Sequence, residues 1–279
     1  MSTQPTTTQI EDIVERALAE DLPDITTEAI FEAGEKGSAY VLAKEGGVIA
    51  GLRFAAAVFT VIDSGTRFET KVRDGERVEP GAIVATIEGT VRALLTGERT
   101  ALNLLQRASG VATETRRYVD AVAGTKAKIY DTRKTMPGLR ALDKYAVTVG
   151  GGENHRYALH DMFLIKNNHI DRAGSIARAV ELARRSGRPE TVMVEVRDLA
   201  ELDQALAAGA DLILLDNMDN ATMAEAVRIA AGRVPLEASG GVTLETVRAI
   251  AETGVDRISV GAITHSVRAL DISMRVGNP

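Results

Sequence analysis

Six short apolar runs limit what this chain can fold into more than any other feature. They cover residues 128–130, 163–165, 192–196, 212–215, 236–238 and 258–260. Between them, apolar residues recur with helical spacing over 139–149, 175–186, 199–208, 221–231 and 244–253. A strand that is apolar along its whole length is buried on both faces. Alternating with helices, such strands make a parallel sheet covered by those helices. An α/β barrel, complete or incomplete, is the leading expectation, and a doubly wound open sheet is the alternative.

The ends of the runs favour the barrel. Asp131-Thr-Arg-Lys134 follows the first run and Lys166-Asn-Asn-His169 the second. Glu195 lies inside the third, ahead of Arg197. Asp216-Asn217, Ser239-Gly-Gly241 and Gly261 close the remaining three. In a barrel all strands deliver their C-terminal ends to one rim, where active sites are built. An open sheet gathers its ligand groups at a switch point instead. Glu195 shares a strand face with Met193, opposite Val192, Val194 and Val196. A carboxylate there needs a cationic or hydrogen-bonding partner, and Lys166 and Lys134 are candidates. Arg133, Lys134, His155, Arg156 and Lys166 crowd the same segments, with Gly150-Gly-Gly152 beside them, which points to an anionic substrate. Ser239-Gly-Gly241 and Val260-Gly-Ala262 end the last two runs, where barrels commonly hold phosphate on backbone N–H groups.

Ahead of the runs the pattern is irregular. The first nine residues are polar and are expected to fray. Ile10, Ile13, Val14, Ala17 and Leu18 define a helical face over residues 10–20. Strands are expected at 39–43, 47–49, 68–72 and 83–87, with another through Leu94 after a turn at Gly89-Thr90, and a helix over 51–62. Thr96 reads as a helix N-cap with Arg99 in the first turn, and Gly110 as a break near the domain boundary. Without regular β–α alternation, this part reads as an α+β domain.

Composition removes several function classes. There is no cysteine among 279 residues, which excludes disulfides, thiol nucleophiles, iron–sulfur clusters and cysteine-ligated zinc. A net charge of −6 argues against a nucleic-acid binder. With no disulfide to protect, a reducing cytoplasm is the expected compartment, and the opening segment, with neither a basic nor an apolar region, does not read as a secretory signal. The most apolar stretch, 54–62, falls far short of the ~20 residues that span a bilayer. The common nucleotide-loop, serine-hydrolase and zinc-protease motifs are absent. Four histidines lack zinc spacing, and His160 and His265 read as helical or core residues. Asp216-Asn217 lacks the second acid of the familiar ribose-phosphate motif. Lys166 at a strand end also suits a Schiff-base aldolase, and a non-catalytic phosphometabolite sensor could use the same fold.

Specific motifs go further. Glu20-Asp21 with Asp24-Ile-Thr-Thr27, Leu94-Leu-Thr-Gly-Glu-Arg-Thr-Ala-Leu-Asn103, Ser109-Gly-Val-Ala-Thr113 and Asp131-Thr-Arg-Lys-Thr-Met-Pro-Gly-Leu-Arg140 occur in order. Lys144-Tyr-Ala-Val147, Gly150-Gly-Gly-Glu-Asn-His-Arg156, Leu164-Ile-Lys-Asn-Asn-His169 and Ala210-Asp-Leu-Ile-Leu-Leu-Asp-Asn-Met218 follow. Glu237-Ala-Ser-Gly-Gly241 and Thr264-His-Ser-Val-Arg-Ala-Leu-Asp271 complete the set. On these motifs the chain resembles the quinolinate phosphoribosyltransferase family from about residue 10 to its end, with small departures at the uncharged Met136 and Asn167.

The resemblance implies an N-terminal α/β sandwich over residues 1–110 and an incomplete α/β barrel of six or seven parallel strands over 111–279. The last helix and tail, after about residue 266, would pack back on the N-terminal domain. It implies a homodimer in which each sandwich caps the partner's barrel, and no nucleic-acid or membrane partner. The reaction would join quinolinate to 5-phosphoribosyl 1-diphosphate, with Mg²⁺ and no organic cofactor. Nicotinate mononucleotide, CO₂ and diphosphate would result, as in de novo NAD synthesis. By the family pattern Arg99, Arg133, His155, Arg156 and Lys166 surround quinolinate, with Thr132 in the substrate site and Lys134 at the diphosphate. Glu195 and Asp216 would hold ribose hydroxyls or Mg²⁺, so that Lys134, Glu195 and Asp216 are the implied catalytic residues. Ser239, Gly240, Gly241, Val260, Gly261 and Ala262 would cradle the 5-phosphate.

Overall fold

The structure is a computed structural model that describes residues 4–279. In chain order it begins with α1 (Thr7–Leu18), α2 (Ile25–Ile30), β1 (Lys36–Ala43), β2 (Gly47–Val48), α3 (Leu52–Ile62), β3 (Arg67–Thr70), β4 (Arg77–Val78), β5 (Ile83–Thr90) and α4 (Val91–Ala121). It continues with β6 (Lys128–Tyr130), α5 (Arg140–Val149), β7 (Phe163–Ile165), α6 (Asn167–Ala173), α7 (Ile176–Arg185), β8 (Val192–Val196) and α8 (Leu199–Ala207). The last elements are β9 (Leu212–Asp216), α9 (Asn220–Ala230), β10 (Leu236–Ser239), α10 (Val247–Glu252), β11 (Arg257–Ser259), α11 (Ala262–His265) and β12 (Ile272–Val276). Among the described residues no helix is long and apolar enough to cross a membrane.

The chain folds into two compact units. The first comprises the residues up to 116 together with 135–151 and 263–279; the second comprises 117–134 and 152–262.

The first unit is built on an antiparallel sheet ordered β12-β1-β5-β3, with β2 and β4 paired separately. Helix α1 starts at Thr7, so the expected fraying of the first nine residues is corrected for its described part; residues 1–3 lie outside the described residues. Thr6 and Gln9 explain the early start. The Thr6 hydroxyl accepts from the Gln9 N–H, and the Gln9 side chain accepts from the Thr6 N–H, a reciprocal cap.

Four other local expectations change. The strand expected through Leu94 is instead the first turn of α4, because β5 runs on to Thr90 and the Thr90 hydroxyl accepts from the Ala93 N–H. Thr96 is therefore inside α4, where its hydroxyl donates to Asp24 Oδ2 at 3.0 Å, and Arg99 lies beyond the first turn. Gly110 does not break α4. A Cβ there would sit 2.3 Å from the Arg268 carbonyl oxygen, so glycine permits the close packing of the C-terminal segment. That segment ends in a strand rather than a helix, and β12 pairs antiparallel with β1, Ile272 opposite Ala43.

The second unit carries six parallel strands in the order β6-β11-β10-β9-β8-β7. β6 and β7 stand at the two edges, which makes this an incomplete α/β barrel. Every residue of β8 is buried, Glu195 included, as expected for a central strand covered on both faces. Met193, Leu212 and Leu214 form a core cluster on one sheet face, packed by Met162 and Leu164.

Candidate active site

Strand register assembles the site within the second unit. Glu195 stands opposite Leu214, Leu214 opposite Glu237, and Glu237 opposite Arg257. One step further toward the strand ends, Asp216 stands opposite Ser239. Because side chains alternate, Asp216 shares a face with Leu214, and Ser239 with Glu237. Three acids, Glu195, Asp216 and Glu237, and the start of the Ser-Gly-Gly turn thus line up on one face.

Glu195 is buried, and Lys166 supplies the cationic partner it needs, Nζ to Oε2 at 2.8 Å. Lys166 ends β7, and its backbone N–H donates to His169 Nδ1 at 2.9 Å. The Lys166 side chain remains 48% exposed while it makes this pair.

After β6 the chain is held at several points. The Thr132 hydroxyl accepts from the Lys134 N–H at 3.0 Å, a turn that fixes the backbone of Arg133 and Lys134. Residue 153 bridges to Tyr130 in parallel fashion, bringing the following segment alongside β6. The fully buried Asp131 accepts from the His155 N–H at 2.8 Å. His155 Nδ1 accepts from the Arg156 N–H at 2.8 Å, and its Nε2 lies 3.5 Å from Glu237 Oε1. Arg156 Nη1 donates to the Met162 carbonyl at 3.2 Å. Burial first, and then the positive charge of Arg133, hold the Arg156 guanidinium below its ordinary value. The charge of Asp161 opposes this in part, and two neighbouring guanidinium charges still favour an anion.

The Ser239-Gly-Gly241 turn owes its shape to its glycines. Gly240 and Gly241 adopt left-handed φ of 99° and 61°. A Cβ on Gly240 would lie 2.1 Å from Asn217 Oδ1. Asn217, itself left-handed at φ 54°, donates its N–H to the Ser239 carbonyl at 2.9 Å. The residue that takes the place of a second acid therefore anchors the glycine turn. Val260 donates its N–H to the Tyr130 carbonyl at 2.9 Å, which fixes the start of Val260-Gly-Ala262.

Thr132, Arg133, Lys134, His155, Arg156, Lys166, Glu195, Asp216, Ser239, Gly240, Gly241, Val260, Gly261 and Ala262 all belong to the second unit. Arg99 belongs to the first, with its side chain 62% exposed and 4.0 Å from Glu98. His160 and His265 are both exposed, so neither is a core residue; only His265 is helical, at the end of α11. Sequence reasoning placed Asp131 at a strand end without a role, and missed Glu237, Arg257 and Ser259. Glu237 carries the signal that exposed Glu195: a carboxylate inside an apolar strand, here between Leu236 and Ala238.

The comparisons agree along the whole chain. The family model "Quinolinate phosphoribosyl transferase, N-terminal domain" matches residues 24–109, and its C-terminal counterpart matches 111–275. A carboxylating nicotinate-nucleotide pyrophosphorylase of Mycobacterium leprae is 48% identical over 94% of this chain and 95% of its own. A probable carboxylating nicotinate-nucleotide pyrophosphorylase of Bacillus subtilis is 42% identical over 96% and 93%. The solved nicotinate-nucleotide pyrophosphorylase of Francisella tularensis superposes with a TM-score of 0.93 at 40% identity, covering 99% of this chain and 98% of that one. With both domain models matched in order and relatives alike from end to end, this chain belongs to the quinolinate phosphoribosyltransferase family.

Proposed function

We propose that this chain transfers the 5-phosphoribosyl group of phosphoribosyl diphosphate to the ring nitrogen of quinolinate, giving nicotinate mononucleotide, CO₂ and diphosphate for de novo NAD synthesis. The observation that carries this reading is the set of cations that follow β6 and β7: Lys166 meets the buried Glu195 at 2.8 Å, and the charge of Arg133 acts on the half-buried Arg156. A dicarboxylate suits such a cluster, since guanidinium forks bind carboxylates bidentately.

Arg133, Arg156 and Lys166 hold the quinolinate carboxylates and aim the ring nitrogen at the anomeric carbon. A carbon–nitrogen bond forms there as the bond to diphosphate breaks. Glu195 and Asp216 sit on the ribose side, where their negative charge favours the developing oxocarbenium character. Lys134 receives the diphosphate, and the Ser239–Gly241 and Val260–Ala262 turns take the 5-phosphate on backbone N–H groups. Ribosylation leaves the ring nitrogen positive. The electron pair of the adjacent carbon–carboxylate bond then flows into the ring, CO₂ departs, and a water proton replaces it. Little protein acid–base chemistry is required.

Among the described residues, no three His, Asp or Glu converge as a metal cage. Glu195 and Asp216 would be the protein partners of Mg²⁺, directly or through water. When bound, the ion would supply charge neutralisation at the diphosphate. The working form is read as a cytoplasmic homodimer in which Arg99 of a second copy completes each quinolinate site.

The test incubates the protein with quinolinate, phosphoribosyl diphosphate and Mg²⁺ and measures CO₂ release. Nicotinate should replace quinolinate poorly, because the cations facing the second carboxylate would lose their partner. Equal turnover of nicotinate would overturn the specificity. Borohydride with a keto-acid should leave Lys166 unmodified, whereas an adduct would favour an aldolase.

A further inference from the structure

Glu237 has no place in the chemistry above, yet its surroundings are unusual. It is fully buried in β10. Its Oε1 accepts from the Ser259 hydroxyl, while Oε2 has no hydrogen-bond partner and lies 3.8 Å from Arg257 Nη1. A buried carboxyl group left half-satisfied is costly, so a position that tolerates one calls for an explanation. The groups facing it are His155 from the segment beside β6, Arg257 and Ser259 from β11, and the charge of Asp131 at the end of β6.

His155 shows what the carboxyl group does. Its Nδ1 accepts a hydrogen bond from the Arg156 N–H, so that nitrogen carries no proton. The ring proton is then on Nε2, the nitrogen that faces Glu237 Oε1 at 3.5 Å. An acceptor opposite one ring nitrogen selects the tautomer that leaves the other free to accept. The His155 side chain is only 7% exposed.

We infer that Glu237 is a positioning residue: it holds His155 as the Nε2-protonated tautomer, and through His155 Nδ1 it fixes the backbone of Arg156 for the quinolinate carboxylate. This inference rests on the proposed function for the identity of the bound acid. It also changes the role of His155, which becomes a support for a cationic ligand rather than a cation itself. Buried Asp131, on the His155 N–H, provides the second anchor of the same segment.

Two measurements test this. In the wild-type protein, nitrogen-15 correlation spectra of the four histidines, with His155 assigned through His155→Gln, should show an unprotonated Nδ1 and a protonated Nε2. The opposite tautomer, or a doubly protonated ring at neutral pH, would overturn the inference without any variant having to fold. The second measurement is quinolinate affinity by calorimetry, with steady-state KM values for both substrates. Glu237→Leu should weaken quinolinate at least tenfold while changing the phosphoribosyl diphosphate KM less than threefold. Glu237→Gln keeps an acceptor for Ser259 and His155 and should restore quinolinate affinity to within about threefold of wild type. Unchanged quinolinate affinity in Glu237→Leu, or equal losses for both substrates, would overturn the inference alone. Failure of the wild type to bind quinolinate would overturn the functional reading beneath it.

Discussion

Arg107 grips both oxygens of Asp143, Nε to Oδ1 and Nη2 to Oδ2, each at 2.9 Å. Asp143 is fully buried and also accepts from the Met136 N–H at 2.9 Å, while Arg107 Nη2 reaches the Thr264 carbonyl at 2.8 Å. One ion pair thus ties α4 to α5 and to the loop that follows the Arg133-Lys134 turn. Asp143→Ala leaves a largely buried guanidinium uncompensated and should cost about 3–5 kcal/mol of stability. Urea unfolding measures it. The double replacement Arg107→Met with Asp143→Leu should lose less, and a larger loss in the double variant would contradict the account.

Glu195 and Asp216 are assigned to the ribose. Glu195→Gln removes the charge opposite Lys166 while keeping the shape. Its kcat/KM for phosphoribosyl diphosphate should fall by the equivalent of about 2–5 kcal/mol, part of it the penalty on the unpaired lysine. Quinolinate binding should change much less. A variant that lost quinolinate affinity alone would reverse the assignment.

Arg99 provides a test of assembly. Its exposed side chain leaves it available to a second copy. Arg99→Ala and Lys134→Ala homodimers should each be nearly inactive. After dissociation and random reassociation of the two, activity should rise toward roughly a quarter of wild type, because about half the dimers are mixed and each carries one complete site. No recovery after proven exchange would mean that Arg99 serves its own chain or no site at all.

Glu237 predicts a pH effect of definite sign. Burial, opposed by the Ser259 hydrogen bond and the charge of Arg257, pushes its carboxyl group up from 4.5 to about 7. The unfolded chain releases that proton near 4.5, whereas the folded protein keeps it until about 7. The native state binds more protons in that window, so this group makes stability fall as pH rises through it. Glu237→Gln should flatten the decline, by on the order of 3 kcal/mol between pH ~5 and ~8. Urea midpoints across that range, for wild type and variant, give the difference; parallel profiles would refute the shift.

The sequence by itself determined the parallel sheet and which charged and glycine residues stand at its strand ends. All six runs became strands, because a buried parallel strand needs a near-continuous apolar segment and a helix to cover it. Glu195 could be picked out for the same reason, since a charge inside such a run has to be matched. Where local and tertiary preferences compete, local pattern misled. Gly110 reads as a helix breaker, yet the Arg268 carbonyl packs where its Cβ would be and the helix runs through. The C-terminal segment reads as a helix and tail, yet the open edge of β1 draws it into a strand. Partners far apart in the chain lay beyond any periodicity. Only the tertiary structure set Glu237 against His155, 82 residues earlier by numbering (237 − 155), because the register of β10 and the bridge at Tyr130 deliver both to one place. Spacing along a sequence reports which face a residue occupies; it carries no information about which distant side chain will share that face.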